Sequence, residues 1–498
     1  MDLAAVIDAT GGRLEGAPAD TTLHITTVTH NSAWVTPGAA FVALRGRVHD
    51  GHAYIDDALR RGAVLIVGEG YAESVTLPVP YLRVQDARAA LADLAAALHG
   101  HPSTKLTTVG ITGTKGKTTT SWLIRHLLRA AGHPTGLLST LGYKLEDDEL
   151  HQFPAHFTTP EAPQSQETLG RMVAHGCTHA VIEASSEALA QQRLRATHID
   201  IAVWTNLAPE HLNFHGDMEG YFEAKRLLFD AADLAVLNAG DSWGMRLTDR
   251  PHTTYADAAG TCADWWADGV TEAGGGLTFT VHHPGGRFAA ELPMIGTYNV
   301  ANAMAAITAV AQLGVGIPAI RAGLASFPGV PGRMQVLRTA PVRVILDFAH
   351  TPDSLRLALA TLRQTTLRRL IVVLGSAGGP RDPSKRAPLG EVAATLADVA
   401  IYTEEDCRDT PIYDILNEMA RGAREADHDN FLLIPDRLEA IHHALTHAEE
   451  GDTVVFCGKA GEITLERATE TLPWIEEDIV RGVMAELGWC DGGGRCRG

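Results

Sequence analysis

The sequence lacks any Cys-x-x-Cys pair: its six cysteines, Cys177, Cys262, Cys407, Cys457, Cys490 and Cys496, are scattered over 498 residues. That scatter argues against a disulfide scaffold and a structural zinc site, and it fits a reducing cytoplasm. No apolar run reaches the ~18 residues of a membrane-spanning helix, so none is expected. The opening MDLAAVIDATGGRLEG carries Asp2 and Asp8 and has no basic stretch ahead of a long apolar core, so it does not read as a signal peptide. Surplus positive charge is also missing. Lys plus Arg number 41 against 60 Asp plus Glu, a net charge of −19 that disfavours nucleic acid or an anionic membrane as main partner. What is present, 45% hydrophobic and 20% charged residues with 49 Gly and 24 Pro, is ordinary globular material. The length predicts two to four domains, each able to bury a core.

Short β-like stretches around Thr26–Thr29, Ala40–Leu44 and Ala63–Val67 precede a helix-like run from Asp86 that stops at Gly100. His101-Pro102-Ser103 then reads as a helix stop and linker, which bounds a first α/β domain at residues 1–103. From Leu106 the pattern becomes strand, Gly-rich loop and helix, with further strand candidates at AVIEA, DIAVWTN and LAVLN. This alternation predicts a mostly parallel sheet in a second domain, 104–330. The FPGVPGR stretch, Phe327–Arg333, breaks the helical pattern and opens a third domain, 331–498. There the apolar runs VRVILDF, LIVVLG, VAIYT, FLLI and TVVFCG predict a Rossmann-like sheet. The closing CDGGGRCRG reads as a frayed tail.

Chemistry concentrates first at Gly113-Thr114-Lys115-Gly116-Lys117-Thr118-Thr119, set between a strand and a helix. Glycines let backbone N–H groups approach phosphates, Lys117 has the reach for the β- and γ-phosphates, and Thr118 suits Mg²⁺. An incidental lysine in a Gly-rich turn is the plainer alternative, and the flanking strand and helix weigh against it. The pattern predicts nucleoside triphosphate binding, although Ile111 stands where the strict Walker motif has glycine.

The loop GITGTKGKTTT resembles that of the Mur ligase family. Further similar blocks follow in family order: TTPE at Thr158, EASSEALAQQRL at Glu183, WTNLAPEHLNFHGDMEGYFEAKRLLF at Trp204, GTYNVANAMAA at Gly296, PGRMQVL at Pro331 and LDFAHTPDSL at Leu346. Within the family the likeness is strongest to the branch that makes the UDP-muramoyl-tripeptide. The resemblance implies three α/β domains: a UDP-sugar-binding N-terminal domain, a central P-loop ATPase domain and a C-terminal Rossmann-like domain that takes the amino acid. It implies an ADP-forming ligase of peptidoglycan synthesis, acting in the cytoplasm as a monomer, that joins a carboxylate to an amine through an acyl phosphate.

By the same resemblance, Thr118 and Glu183 hold one Mg²⁺ and His211 helps hold a second, with Asn206 nearby. Lys225, otherwise an ordinary solvated helix lysine, corresponds to the family's carbamylated lysine, whose anionic carbamate can ligate magnesium. Asn299 and Asn302, at i and i+3 near a helix start, either cap that helix or read adenine, and the family favours adenine. Arg333 then reaches the ATP phosphates, and Asp347 and His350 lie near its ribose. Ser32, Thr158, Thr159, Ser185, Gln191 and Arg193 match positions that bind the UDP-muramoyl peptide, although His30-Asn31-Ser32 stands where the family shows Asp-Ser-Arg.

Family members that add meso-diaminopimelate carry Asp-Asn-Pro-Arg where this chain has Glu405-Asp406-Cys407-Arg408. Asp406 in place of the amide would repel the second carboxylate of diaminopimelate, which favours lysine or ornithine, unless Asp406 simply pairs with Arg408. Arg386, Arg408, Gly458 and Glu462 complete the implied amino-acid site. The expected substrates are therefore ATP, UDP-N-acetylmuramoyl-L-alanyl-D-glutamate and a basic diamino acid, with diaminopimelate as the alternative. A folylpolyglutamate synthase is opposed by the N-terminal PGAAFVAL block. A regulator that has lost catalysis is raised by departures at His30, Glu187, Asp406 and Gly461. It is opposed by Lys117, Thr118, Glu183, His211 and Lys225 occurring together.

Overall fold

The computed structural model describes residues 1–15, 23–46, 49–70, 77–153, 157–273, 275–379 and 381–489. The CDGGGRCRG tail lies outside the described residues. The chain divides into two compact units, one of Met1–Gly269, Phe279–Ala290 and Val300–Ala325, the other of Val270–Thr278, Glu291–Asn299 and Ser326–Gly498. Both are layered α/β structures.

The first unit contains a five-stranded sheet in the order Arg13–Glu15, Tyr81–Arg83, Ala63–Gly68, Ala39–Val42, Thr27–Thr29. All its pairs are parallel except that of the edge strand Arg13–Glu15. Buried apolar residues of these strands pack against the Ala87–Leu98 helix. That helix starts where it does because Asp86 caps it, its carboxylate accepting from the Arg88 and Ala89 N–H groups at 2.9 Å each. Such a cap contributes about 1 kcal/mol.

A ten-stranded sheet follows. At its centre the parallel strands run Ala232–Asn238, Ile199–Trp204, Thr107–Thr112, His179–Glu183 and Thr135–Ser139. Val109, Ile111, Val181, Ile182, Ala202 and Val203 are fully buried, which is why these segments read as continuous apolar runs instead of alternating ones. Each large apolar side chain so buried contributes about 1.5–3 kcal/mol. Parallel strands put all their carboxyl ends on one edge, and the Gly113 loop, Glu183 and Thr205-Asn206 all lie there.

The second unit carries a six-stranded sheet in the order Gln335–Arg338, Arg343–Asp347, Thr453–Cys457, Leu370–Leu374, Val399–Tyr402, Phe431–Leu433. Only the first pair is antiparallel. The last strand in sequence among the parallel five sits second in space among them, so the order reverses around it. Loops leaving the carboxyl ends at such a reversal form a crevice in α/β folds. Here they carry Asp347–His350, Gly375–Gly379, Thr403–Arg408 and Gly458–Glu462. Among the described residues, no helix is long and apolar enough to cross a membrane.

Candidate active site

The glycine loop is shaped by two residues that need left-handed backbone. Gly113 and Gly116 have φ of +149° and +85°. A Cβ on Gly113 would stand 1.9 Å from Thr205 Oγ1, and one on Gly116 2.2 Å from Asn302 Oδ1, so neither position accepts a side chain. Asn206 clamps the loop from three directions. Its carbonyl accepts from Thr114 N at 2.8 Å, its Oδ1 accepts from Lys115 N at 3.0 Å, and its Nδ2 donates to Lys115 O at 3.1 Å. The Lys117–Ala130 helix begins on Gly116 with no side-chain cap, leaving its first N–H groups and the positive end of its dipole to the loop. Lys117 Nζ donates to Gly113 O and Thr114 O at 2.9 Å each, while Thr118 and Thr119 are buried in the first helical turn.

Beside the loop sits a carboxylate with one oxygen unspoken for. Glu183 ends its strand opposite Ile111 and is fully buried. Its Oε2 accepts from the Thr140 hydroxyl at 2.7 Å and from Thr140 N, while Oε1 is buried without a hydrogen-bond partner. An unsatisfied buried oxygen of this kind costs about 1–3 kcal/mol, which a hard cation would offset.

Lys225, in the Met218–Asp230 helix, is buried, with Nζ donating to Gly113 O at 2.7 Å and lying 4.6 Å from the Tyr221 ring centroid. Burial, then the charge of Lys117, pushes its pKa well below the usual lysine range, against the opposing pull of Glu210. His211 adopts φ of +57° and meets Tyr221 edge-on at 6.2 Å. Burial lowers its pKa, Glu210 opposes, and Lys117 and Lys225 lower it further. Lys117, Lys225, His211 and the Gly113 carbonyl therefore share one neighbourhood. Asn302 joins it, its Oδ1 accepting from Thr120 Oγ1 at 3.5 Å, while Asn299 donates to Ile295 O at 2.8 Å.

A second network continues from Glu183. Thr159 Oγ1 donates to Glu183 O at 2.6 Å and accepts from Ser185 N at 3.0 Å; the Thr140 and Thr158 hydroxyl oxygens lie 3.2 Å apart. Arg193 donates to Thr159 O and to Gln191 Oε1, each at 3.0 Å, and pairs with Glu161 at 2.9 Å. Ser32 and Gln191 both line a cavity of about 440 Å³. Its wall also holds His30, Tyr54, Arg88 and Glu161, none of which the sequence reading placed in a site. His30 Nδ1 is buried without a partner, and burial holds its ring below the usual histidine range against the charge of Glu161.

In the second unit, both carboxylate oxygens of Asp347 accept backbone N–H groups, from Met334 at 2.8 Å and Ala349 at 2.9 Å. Burial raises its pKa while Arg333 opposes, and the Arg333 guanidinium lies 4.5 Å from the Phe348 ring centroid. His350 is pushed down to about 4, by burial and then by the charge of Lys385.

Asp406 is not a free carboxylate. Its Oδ1 accepts from Lys459 Nζ at 2.8 Å and Glu466 N at 2.9 Å, and its Oδ2 lies 3.4 Å from Arg408. Arg408 pairs more closely with Glu466, at 2.7 Å, and Lys459 also donates to Glu462. Gly458, at φ +95°, would place a Cβ 2.8 Å from Glu405 Oε2, a buried oxygen with no partner. Burial raises the Glu462 pKa; Lys459 opposes it, and Asp406 and Glu405 add to it. Arg386 is buried and donates to Ala377 O at 3.4 Å, as Arg408 does to Gly378 O, so both arginines hold the Gly375–Gly379 loop. The sequence reading missed Glu405, Lys459 and Glu466 as members of this cluster.

Comparison with known proteins identifies the family. The model of the Mur ligase family catalytic domain matches residues 24–99, that of the Mur ligase middle domain 111–310, and that of the Mur ligase glutamate ligase domain 332–460. The chain is 59% identical over 470 residues to a UDP-N-acetylmuramyl-tripeptide synthetase of Deinococcus radiodurans, covering 94% of this chain and 96% of that protein. It is 37% identical over 471 residues to a UDP-N-acetylmuramoyl-L-alanyl-D-glutamate–2,6-diaminopimelate ligase of Geobacillus kaustophilus, covering 92% and 94%. A solved structure of a ligase with the latter name superposes with a TM-score of 0.65 at 29% identity over 95% of this chain and 97% of that one. The MurF ligase of Thermotoga maritima, solved with ADP, shares the fold at a TM-score of 0.60 and 21% identity over 94% and 99%. The chain thus belongs to the Mur ligase family and is an ATP-dependent, ADP-forming ligase.

Proposed function

We propose that this ligase extends UDP-N-acetylmuramoyl-L-alanyl-D-glutamate with a basic diamino acid, L-lysine or L-ornithine, in peptidoglycan synthesis. The observation that carries the reading is the charge balance around Lys459. Glu405, Asp406, Glu462 and Glu466 set four carboxylates against the two cations Lys459 and Arg408, and Glu405 Oε2 is buried without a partner. Surplus negative charge with an unsatisfied oxygen stabilises an incoming ammonium and disfavours a second carboxylate.

In this reading residues 1–103 hold the UDP-sugar, 104–330 hold ATP and 331–498 hold the amino acid. Ser32, Thr158, Thr159, Ser185, Gln191 and Arg193 bind the UDP-muramoyl peptide, their hydroxyls and guanidinium meeting phosphate and carboxylate oxygens. Residues 113–119 cradle the ATP phosphates, and Lys117 exchanges its two carbonyl partners for the transferred phosphoryl group. Asn299 and Asn302 serve adenine, Arg333 the phosphates, and Asp347 and His350 the region of the ribose. A carboxylate oxygen of the glutamyl side chain attacks the γ-phosphorus and ADP leaves. The acceptor nitrogen then attacks the acyl carbon, loses a proton, and displaces phosphate. Arg386 and Arg408 hold the acceptor carboxylate, while Glu405 and Glu462 hold its distal ammonium.

The donor types fit Mg²⁺: the unpartnered buried oxygen of Glu183 with the Thr118 hydroxyl would hold one ion, and the His211 imidazole would help hold a second. The ions would neutralise crowded phosphate charge. Burial disfavours the charged form of the Lys225 amine, and the neutral form is the one whose lone pair attacks carbon dioxide. An N–C bond forms, a proton leaves, and the resulting carbamate inverts the charge beside Lys117.

Diaminopimelate addition is the second reading, favoured by relatives of that name and by the engagement of Asp406 with Lys459 and Arg408. Mass spectrometry of products from an equimolar pool of lysine, ornithine and diaminopimelate separates the two. Lysine or ornithine in the product is expected; diaminopimelate alone overturns the proposal.

A further inference from the structure

The two loops that carry the acid cluster leave different strands, Val399–Tyr402 and Thr453–Cys457, that are not neighbours in the sheet. One side chain ties them together. Arg437, at the start of the Arg437–Thr446 helix, is fully buried and donates Nη1–H to Glu404 O at 3.1 Å and Nη2–H to Cys457 O at 2.9 Å. Those carbonyls immediately precede Glu405 and Gly458. The backbone N–H of Arg437 donates to Glu404 Oε1 at 3.2 Å, so the same loop is gripped twice. Glu476, also buried, neutralises the guanidinium through both carboxylate oxygens, at 3.0 Å to Nε and 2.6 Å to Nη2, and its Oε2 also accepts from Trp474 Nε1.

We propose that Arg437 is a positioning residue for the acceptor amino acid: its planar fork fixes the spacing between Glu405 and Gly458–Glu462, and Glu476 is the counterion that keeps the fork oriented. The inference rests on the reading that these loops receive the acceptor. A guanidinium does this where an ammonium does not, because its N–H groups diverge in one rigid plane and can reach two carbonyls and a carboxylate at once. The surroundings support positioning over mere packing. A buried ion pair gives little net stability over well-packed apolar side chains, so its placement across two functional loops calls for a geometric role. The glycine at 458 raises the stakes, since Glu405 Oε2 stands only 2.8 Å from where a Cβ would be, and a small shift of either loop changes that approach.

The test is steady-state kinetics of full-length R437K with whichever amino acid the unsubstituted enzyme incorporates. The identity of that amino acid is settled with the unsubstituted enzyme, so an error in the diamino-acid reading shows there and not in the variant. R437K is expected to raise the acceptor KM about tenfold or more while the KM for ATP stays within about twofold. A double variant, R437M with E476L, replaces the pair with apolar side chains and is expected to approach the parent's thermal midpoint without recovering the acceptor KM. Unchanged acceptor KM in R437K, or a parallel rise in all KM values, overturns the proposal. So does recovery of acceptor KM in a stable double variant.

Discussion

Around the glycine loop, side-chain amines rest on the backbone: Lys117 and Lys225 both donate to the Gly113 carbonyl, and Glu183 keeps one oxygen unpartnered. Around Lys459, charges rest on one another: Asp406 and Glu462 share the lysine, and Glu466 and Asp406 share Arg408. The first arrangement suits a ligand of fixed and high charge. Lys117, held by two neutral carbonyls, gives those partners up at small cost when a triphosphate arrives, so its charge is available to it. The second suits discrimination. Every charge is already matched except a small surplus, and the ligand is judged by how it alters that balance. Recognition of a common cosubstrate can therefore be robust to the neighbours, whereas recognition of one amino acid among several depends on all of them.

The sharpest break of this contrast is K117A. Removing the cation meant for the transferred phosphoryl group is expected to lower kcat about 10³-fold or more, with the fold intact by circular dichroism. Phosphate release at saturating substrates measures it; a loss of under tenfold would mean that the lysine is not held in reserve for ATP. Next comes E183Q, which keeps the Thr140 contact geometry and removes the anionic charge. A fall of about 10² in kcat/KM is expected, together with a higher Mg²⁺ concentration for half-maximal rate. An unaltered Mg²⁺ requirement would show that the unpartnered oxygen is not a metal ligand.

In the second cluster the expected effect is on choice more than on rate. D406N leaves Lys459 with Glu462 and Arg408 with Glu466 while deleting one negative charge. The product ratio of diaminopimelate to lysine from an equimolar pool should rise about tenfold, as a change of one charge near a partly buried site allows. A ratio that does not move would show that the four carboxylates do not act as one balance.

The same contrast explains what was legible in the sequence. The parallel strands were visible because burial on both faces makes them continuous apolar runs, as at VGIT, AVIE and TVVFC. The glycine loop was visible because its job is done by backbone, which leaves a local signature of glycines at fixed spacing. Glu183, His211 and Lys225 stood out only through the blocks around them, since each residue type alone is ordinary on a surface. Nothing local marks Glu405, Lys459, Glu466 or Arg437 as partners: they come from four segments that meet only once the sheet order reverses. Asp406 shows the limit most plainly. Read alone it is either a repelling carboxylate or a partner of Arg408; in the fold it pairs more closely with Lys459 than with Arg408, and the unbalanced charge lies with Glu405 and Glu462.

The smallest expected effect is a pH dependence confined to one cluster. Burial, together with Asp406 and Glu405, raises the Glu462 pKa, with Lys459 opposing. As pH falls from neutrality, Glu462 is therefore protonated above the usual carboxylate range and stops accepting the distal ammonium. The acceptor KM should rise a few-fold, roughly 1 kcal/mol of binding, across that window. His350, pushed down to about 4, stays neutral until the pH approaches that value. Stability at this residue runs the other way. A carboxyl whose folded pKa is raised contributes stability that is present below the unfolded pKa and lost as pH rises through the folded one, so acidification favours the fold here. A rise in acceptor KM in that window therefore cannot be ascribed to unfolding at Glu462, and E462Q should flatten it while leaving the KM for ATP with its parental pH profile. If the acceptor KM instead tracked that of ATP as the pH fell, the two clusters would be one electrostatic system, and the division drawn between a reserve of charge and a balance of charge would fail.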